Sequence, residues 1–343
     1  MFQGGKVVMK KNIFPLILFT LISLLSCKQK VKSIILDTDI GSSTDDLFAM
    51  QMLYHYADSD EINLLGIIVD REGKESAYLA DLMNTYYGYE EVPIGLVKNG
   101  IKNPKVWIDY KKLPELKDRN EGKNLIFPYD CYDESYPDGY KLYRKLLASQ
   151  PDKSVVVCSI GFLTCLSQLL QSQADEYSDL DGVELVKRKV NTIYLMGGAF
   201  NNEVEQIEYN FSKGIDFVEK FFDLLPSEVD RVFSPGSAGD PIEYRPENVI
   251  SDIDWTDNHP IKQVYLQCEC DTGQKMWDVL PVINAVKGDD WFTLSPRGKV
   301  KVLRDSRTIF TPDPEGNFRY QIPGDKAWSE KILSEIKDSY EKK

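Results

Sequence analysis

Residues 34–46 read Ile34-Ile35-Leu36-Asp37-Thr38-Asp39-Ile40-Gly41-Ser42-Ser43-Thr44-Asp45-Asp46, and this order decides the fold. An apolar, β-branched run reads as a buried strand. It ends in two aspartates, passes a glycine and delivers two more into the first turn of a helix expected to begin near Leu47. Four carboxylates within ten residues repel one another unless a cation sits among them, and carboxylate oxygens are the preferred ligands of calcium and magnesium. Asp37 and Asp39 lie two apart on a strand and are expected to point to one side. Helix capping is the plainer reading of Asp45 and Asp46, because acids complement the N-terminal dipole. It leaves Asp37 and Asp39 without a reason, so ligation of a hard cation is the preferred reading.

Outward from this stretch, strand-like and helix-like segments alternate. Residues 62–69 predict a strand, 74–87 a helix stopped by Gly88, and 92–97 a third strand. Residues 99–138 form an irregular excursion longer than an ordinary connection. A helix over 140–149, a strand over 154–159 and a helix over 162–173 follow, then a strand over 192–196 and a helix over 217–225. Residues 231–234 predict a strand, 276–286 a helix and 299–303 a late strand. The alternation predicts an α/β fold: an open, mostly parallel sheet with helices on both faces. In such sheets ligands bind beyond the carboxyl ends of the strands, where Asp37, Asp39, Gly161 and Gly197 all fall.

The first 27 residues read as a targeting segment, with Lys6, Lys10 and Lys11 before an apolar run over 13–25. It closes on Leu24-Leu25-Ser26-Cys27, which looks like the lipobox of a bacterial lipoprotein. The expectation is an exported protein anchored to a membrane by lipid on Cys27, with residues 28–33 a tether and 34–343 one domain. A net charge of −13 leaves no basic stripe for phosphates, which argues against nucleic acid as a partner. Cys131, Cys158, Cys165, Cys268 and Cys270 make an odd set without the spacing of a zinc site. Cys158 and Cys165, in apolar segments, read as small core residues.

Three further segments join the aspartate loop. They are Ser159-Ile160-Gly161-Phe162-Leu163-Thr164, then Leu195-Met196-Gly197-Gly198-Ala199 with Ile207-Glu208-Tyr209-Asn210, and Lys275-Met276-Trp277-Asp278. In this order they resemble the inosine–uridine-preferring nucleoside hydrolases over about residues 33–324. The resemblance implies a Rossmann-like core and calcium-dependent cleavage of the N-glycosidic bond of a ribonucleoside. It assigns Asp39 as the general base and Asp39, Asp46, Thr164 (through its carbonyl) and Asp278 as metal ligands. Asp45, Glu208 and Asn210 would hold the sugar. The residue types suit the chemistry: departure of a base leaves an oxocarbenium-like centre, and calcium can grip two vicinal hydroxyls beside a water.

Three departures from the family pattern stand out. Its loop runs Asp-x-Asp-Pro-Gly-x-Asp-Asp, whereas here Ile40 replaces the proline and Ser42-Ser43-Thr44 fill one residue's place. Asp70-Arg71-Glu72 stands where the second strand ends near an asparagine, and Arg71 is expected to pair with neighbouring acids. Trp277 stands where a histidine assists the leaving base; stacking on the aglycone and packing in the core are its two readings. His55 and His259 read as structural. Two other readings are compatible with the chain: a nucleoside- or sugar-binding lipoprotein without turnover, and a magnesium-dependent phosphatase of the haloacid dehalogenase type. Oligomeric state stays open, a homo-oligomer included.

Overall fold

The structure, a computed structural model, describes residues 1–2, 4, 31–41, 43–101, 116–117, 124–125, 136–200, 206–267 and 273–340. The expected lipobox with Cys27, Ser42, Cys131, Cys268, Cys270 and most of the 99–138 excursion lie outside the described residues. Val31–Lys343 form one compact unit. No helix among the described residues is long and apolar enough to cross a membrane.

The elements run β1 (Lys32–Thr38), α1 (Asp45–Asp58), β2 (Ile62–Val69), α2 (Lys74–Tyr87), β3 (Ile94–Leu96), β4 (Leu116–Lys117), β5 (Asn124–Leu125) and α3 (Gly139–Ala148). Next come β6 (Val155–Ser159), α4 (Thr164–Gln171), α5 (Gly182–Lys189), β7 (Val190–Met196), α6 (Tyr209–Lys213), α7 (Ile215–Leu224), β8 (Asp230–Ser234) and α8 (Gly236–Gly239). The remainder are β9 (Glu243–Tyr244), α9 (Pro246–Asp252), α10 (Pro260–Gln267), β10 (Gln274–Lys275) and α11 (Val279–Lys287), followed by β11 (Thr293–Leu294), β12 (Gly298–Val302), β13 (Thr308–Pro312), β14 (Phe318–Ile322) and α12 (Lys326–Asp338).

The main sheet has the order β13-β12-β14-β8-β7-β6-β1-β2-β3, with β11 paired to β14. From β14 through β3 every pairing is parallel, and β11, β12 and β13 add an antiparallel edge. The order turns back on itself between β1 and β6, so the crevice expected of a doubly wound sheet opens above those two strands. The mostly parallel α/β architecture is the one the alternating pattern predicts.

Burial on both faces explains the near-continuous apolar strands. Ile34 and Leu36 of β1 pack with α1, α2 and α11 in one core; Ile35 packs with α3, α4 and α7 in the other. Cys158 and Cys165 are buried free thiols, one in each core, as read. His259 is likewise structural: it is buried, with Tyr86, Trp255 and Tyr340 edge-on to its ring. Helix α11 starts later than expected, at Val279, which leaves Trp277 and Asp278 on the approach to it.

Candidate active site

The floor of the crevice is assembled where β1 stops. The strand ends at Thr38, one residue before Asp39, so the alternation expected to align Asp37 with Asp39 does not carry through. Asp37 shares the face of Ile35 and accepts a hydrogen bond from the Tyr143 hydroxyl on α3 (2.8 Å), while Asp39 lines the cavity. Gly161 makes the close approach possible, because a Cβ there would sit 2.3 Å from the Asp39 amide nitrogen. The Thr38 hydroxyl donates to Asp46 Oδ1, tying the end of the strand to the first turn of α1.

Asp45 and Asp46 open α1, and Asp278 stands at the N-terminal boundary of α11 without a capping hydrogen bond from its side chain. The helices pack side by side, and one oxygen from each of the three carboxylates lies within 4.8 Å of the others. Asp45 Oδ2 accepts the Asp278 amide (3.3 Å), and Asp45 Oδ1 accepts Gln274 Nε2 (3.4 Å) and the Ser43 hydroxyl. Asp46 Oδ2 is buried without a partner. Burial pushes Asp45 up to about 6, despite the hydrogen bonds it accepts. Burial, then the mutual repulsion of the acids, pushes Asp46 and Asp278 well above the ordinary carboxylate range. Three desolvated carboxylates with an orphaned oxygen form a donor set that could hold a hard divalent cation.

Asp39 is engaged differently. Arg71, fully buried beyond the end of β2, donates from its terminal nitrogen to Asp39 Oδ2 (2.7 Å) and from Nε to the Asp39 carbonyl (2.8 Å). The expected pairing of Arg71 with a neighbouring acid is therefore present. Beneath it, burial and the charge of Asp37 hold Asp70 well above its usual range, while burial pushes Asp37 up to about 7.

The cavity has a volume of about 500 Å³. Glu208 and Asn210, at the start of α6, line it. Glu208 caps that helix by accepting the Phe211 amide, and burial raises it to about 7 against the pull of backbone donors. Asn210 Nδ2 donates weakly to the Ile160 carbonyl (3.5 Å), which orients its amide toward the floor. The lining also has an apolar part, made by Ile160, Met196, Ile207, Tyr209 and Trp277. Trp277 lies on Gly239, where a Cβ would come within 2.4 Å of the indole, and its Nε1 donates to Asp240 Oδ1 (3.0 Å).

Seven of the eight candidate residues therefore meet: Asp39, Asp45, Glu208, Asn210, Trp277 and Asp278 line one cavity, and Asp46 joins Asp45 and Asp278 in the acid cluster. Thr164 is the exception: it is buried at the start of α4, outside the cavity lining. Asp45, expected on the sugar, sits within the acid cluster, whereas Asp39, expected among the ligands, is turned toward Arg71. Asp240 and Gln274 are additions. The signal for Asp240 was its place just beyond β8, a strand ending toward the same crevice.

No protein-family model matches the sequence, and no curated protein does. Solved structures match over most of their length. A purine-preferring ribonucleoside hydrolase from Gardnerella vaginalis is 18% identical, with a TM-score of 0.65 over 90% of this chain and 99% of that one. An inosine–uridine-preferring nucleoside hydrolase from Bacillus anthracis is 14% identical, with a TM-score of 0.64 over 90% and 99%. The type III effector XopQ, solved with adenosine diphosphate ribose, is 15% identical, with a TM-score of 0.61 over 91% and 95%. The fold is that of the nucleoside hydrolases.

Proposed function

We propose that this chain hydrolyses the N-glycosidic bond of a ribonucleoside or related N-riboside, with a divalent cation, calcium, held by Asp45, Asp46 and Asp278. The observation that carries this reading is the buried acid cluster, with its orphaned Asp46 oxygen, at the floor of a nucleoside-sized cavity at the sheet's switch point. Bound there, such an ion supplies a Lewis acid that acidifies water and grips vicinal hydroxyls. Asp39 takes the proton from the attacking water. Glu208 and Asn210 bind the sugar hydroxyls and hold the ring against the floor. Trp277 offers a plane to the aglycone while Asp240 anchors its indole, so this wall binds and orients the base.

Charge narrows the substrate. Asp39, Asp45, Glu208, Asp240 and Asp278 line the cavity, and no Lys or Arg stands among its described lining residues. That field repels a phosphate, which favours a nucleoside over a nucleotide and weighs against the phosphatase reading. Retention of the pocket without turnover is the second reading, favoured by one observation: a carboxylate already paired with a guanidinium is a weaker base. A panel of ribonucleosides, assayed for reducing sugar with calcium and with EDTA, decides between the two. Sugar release that requires the ion supports hydrolysis; tight nucleoside binding without release sinks it. We further propose, from the N-terminal segment, that the chain is exported and lipid-anchored through Cys27. Palmitate labelling that persists in Cys27→Ser would overturn that.

A further inference from the structure

Six carboxylates crowd the end of β1: Asp37, Asp39, Asp45, Asp46, Asp70 and Asp278, each at most 5% exposed. Arg71 is packed among them with no exposed surface, its guanidinium 5.2 Å from the centroid of the Phe162 ring. Its grip on Asp39 is twofold, one donor on the carboxylate and one on the carbonyl, so backbone and side chain are fixed together. The residue arrives from the neighbouring strand: the Asp70 amide donates to the Thr38 carbonyl (2.9 Å), which seats the end of β2 against the end of β1. The field of the guanidinium also reaches Asp46, where it favours the ionised form.

We propose that Arg71 is a positioning residue and the built-in counter-ion of this acid nest. It keeps Asp39 and the loop to Asp45 assembled before any ion arrives, and its charge sets how tightly Asp45, Asp46 and Asp278 bind a divalent cation. The inference rests on the cation reading above. A resident positive charge lowers the charge available to a metal while removing the need for a metal to hold the fold together. Two opposed effects follow from its removal. Loss of the guanidinium's two donors to a buried carboxylate and its carbonyl destabilises the ion-free protein, while the cluster, relieved of a nearby positive charge, binds the ion more tightly. Asp39 lies outside the three-carboxylate cluster, so for affinity the charge effect outweighs the lost clamp.

The test is calcium titration by calorimetry, with thermal melts in EDTA and in saturating calcium, of the full chain and of Arg71→Gln and Arg71→Lys. Arg71→Gln is expected to melt lower in EDTA, to gain more from calcium than the parent, and to bind calcium about tenfold more tightly. Arg71→Lys keeps the charge but loses the two-pronged grip, so its affinity stays at the parent value while its melt in EDTA falls. Equal calcium-induced shifts in parent and Arg71→Gln would overturn the inference alone. No shift in any of the proteins would overturn the cation reading and this inference with it. Should Arg71→Gln fail to fold, Asp39→Asn and Asp39→Asn/Arg71→Gln give the same comparison without a buried acid that has lost its guanidinium. The double variant is then expected to bind calcium more tightly than Asp39→Asn, and equal binding would overturn the proposal.

Discussion

The buried floor and the exposed wall of the cavity are built on different principles. The floor draws Asp39, Asp45, Asp46 and Asp278 from strand and helix ends locked by the sheet, and every one of them is buried. The wall draws Ile207, Tyr209, Asp240 and Trp277 from segments beyond those ends, and Ile207, Tyr209 and Asp240 are exposed. A rigid acid floor suits the one chemical event shared by all substrates of a hydrolase, whereas an exposed, partly apolar wall suits the part of the substrate that varies. Floor variants should therefore act on turnover and wall variants on substrate binding and choice.

The sharpest break of that contrast would come from Asp46→Ala or Asp278→Ala. Each is expected to lower kcat by ~10³-fold or more, since a site for charge stabilisation is lost. Circular dichroism should show the fold retained, and a wild-type kcat would show that the floor is not the catalytic half. Asp39→Asn, which keeps shape and loses basicity, is expected to cost ~10²–10⁴-fold in kcat with little change in KM.

Glu208 stands between floor and wall, and pH reveals which it resembles. Its carboxyl is raised from an ordinary value near 4.5 to about 7 by burial, so the folded state holds its proton more firmly than the unfolded chain does. The stability this confers is complete below pH 4.5 and is lost as pH rises through about 7. Glu208→Gln should lack that component of the slope, by up to ~3 kcal/mol across the window in urea melts with EDTA. Identical slopes in parent and variant would show that Glu208 ionises without cost.

Wall variants should have the smallest effects. Trp277→Ala is expected to raise KM by up to ~10-fold while kcat stays within a few-fold, the scale of one aromatic contact. Asp240→Asn, which keeps the hydrogen bond to Trp277 possible and removes a charge, should shift preference among nucleosides by less than that. A collapse of kcat in either variant would erase the distinction between wall and floor.

The two regions were also unequally legible in the sequence. Asp45, Asp46 and Asp278 could be read from the ordered set of motifs they belong to, since each alone has helix capping as a plainer local reason. The parallel sheet was legible from its apolar strands, as runs such as Val155–Ser159, buried throughout, demand cover on both faces. Three-dimensional pairing was harder to read. Nothing local tells that Arg71 crosses to Asp39 or that Asp37 turns to Tyr143, because the point where β1 ends is set by its neighbours. Helices α5, α9, α10 and α12 and strands β13 and β14 went unread, whereas α11 and β12 were expected; in α5 and α12, charged residues outweigh the apolar stripe in the sequence.

The hydrogen bond between the Asp278 amide and Asp45 spans 233 residues of sequence. A contact between segments so far apart is expected to close late, after the strands between them have found their order. An ion seated there is then expected to slow unfolding and leave refolding unchanged, which folding kinetics with calcium and with EDTA would check.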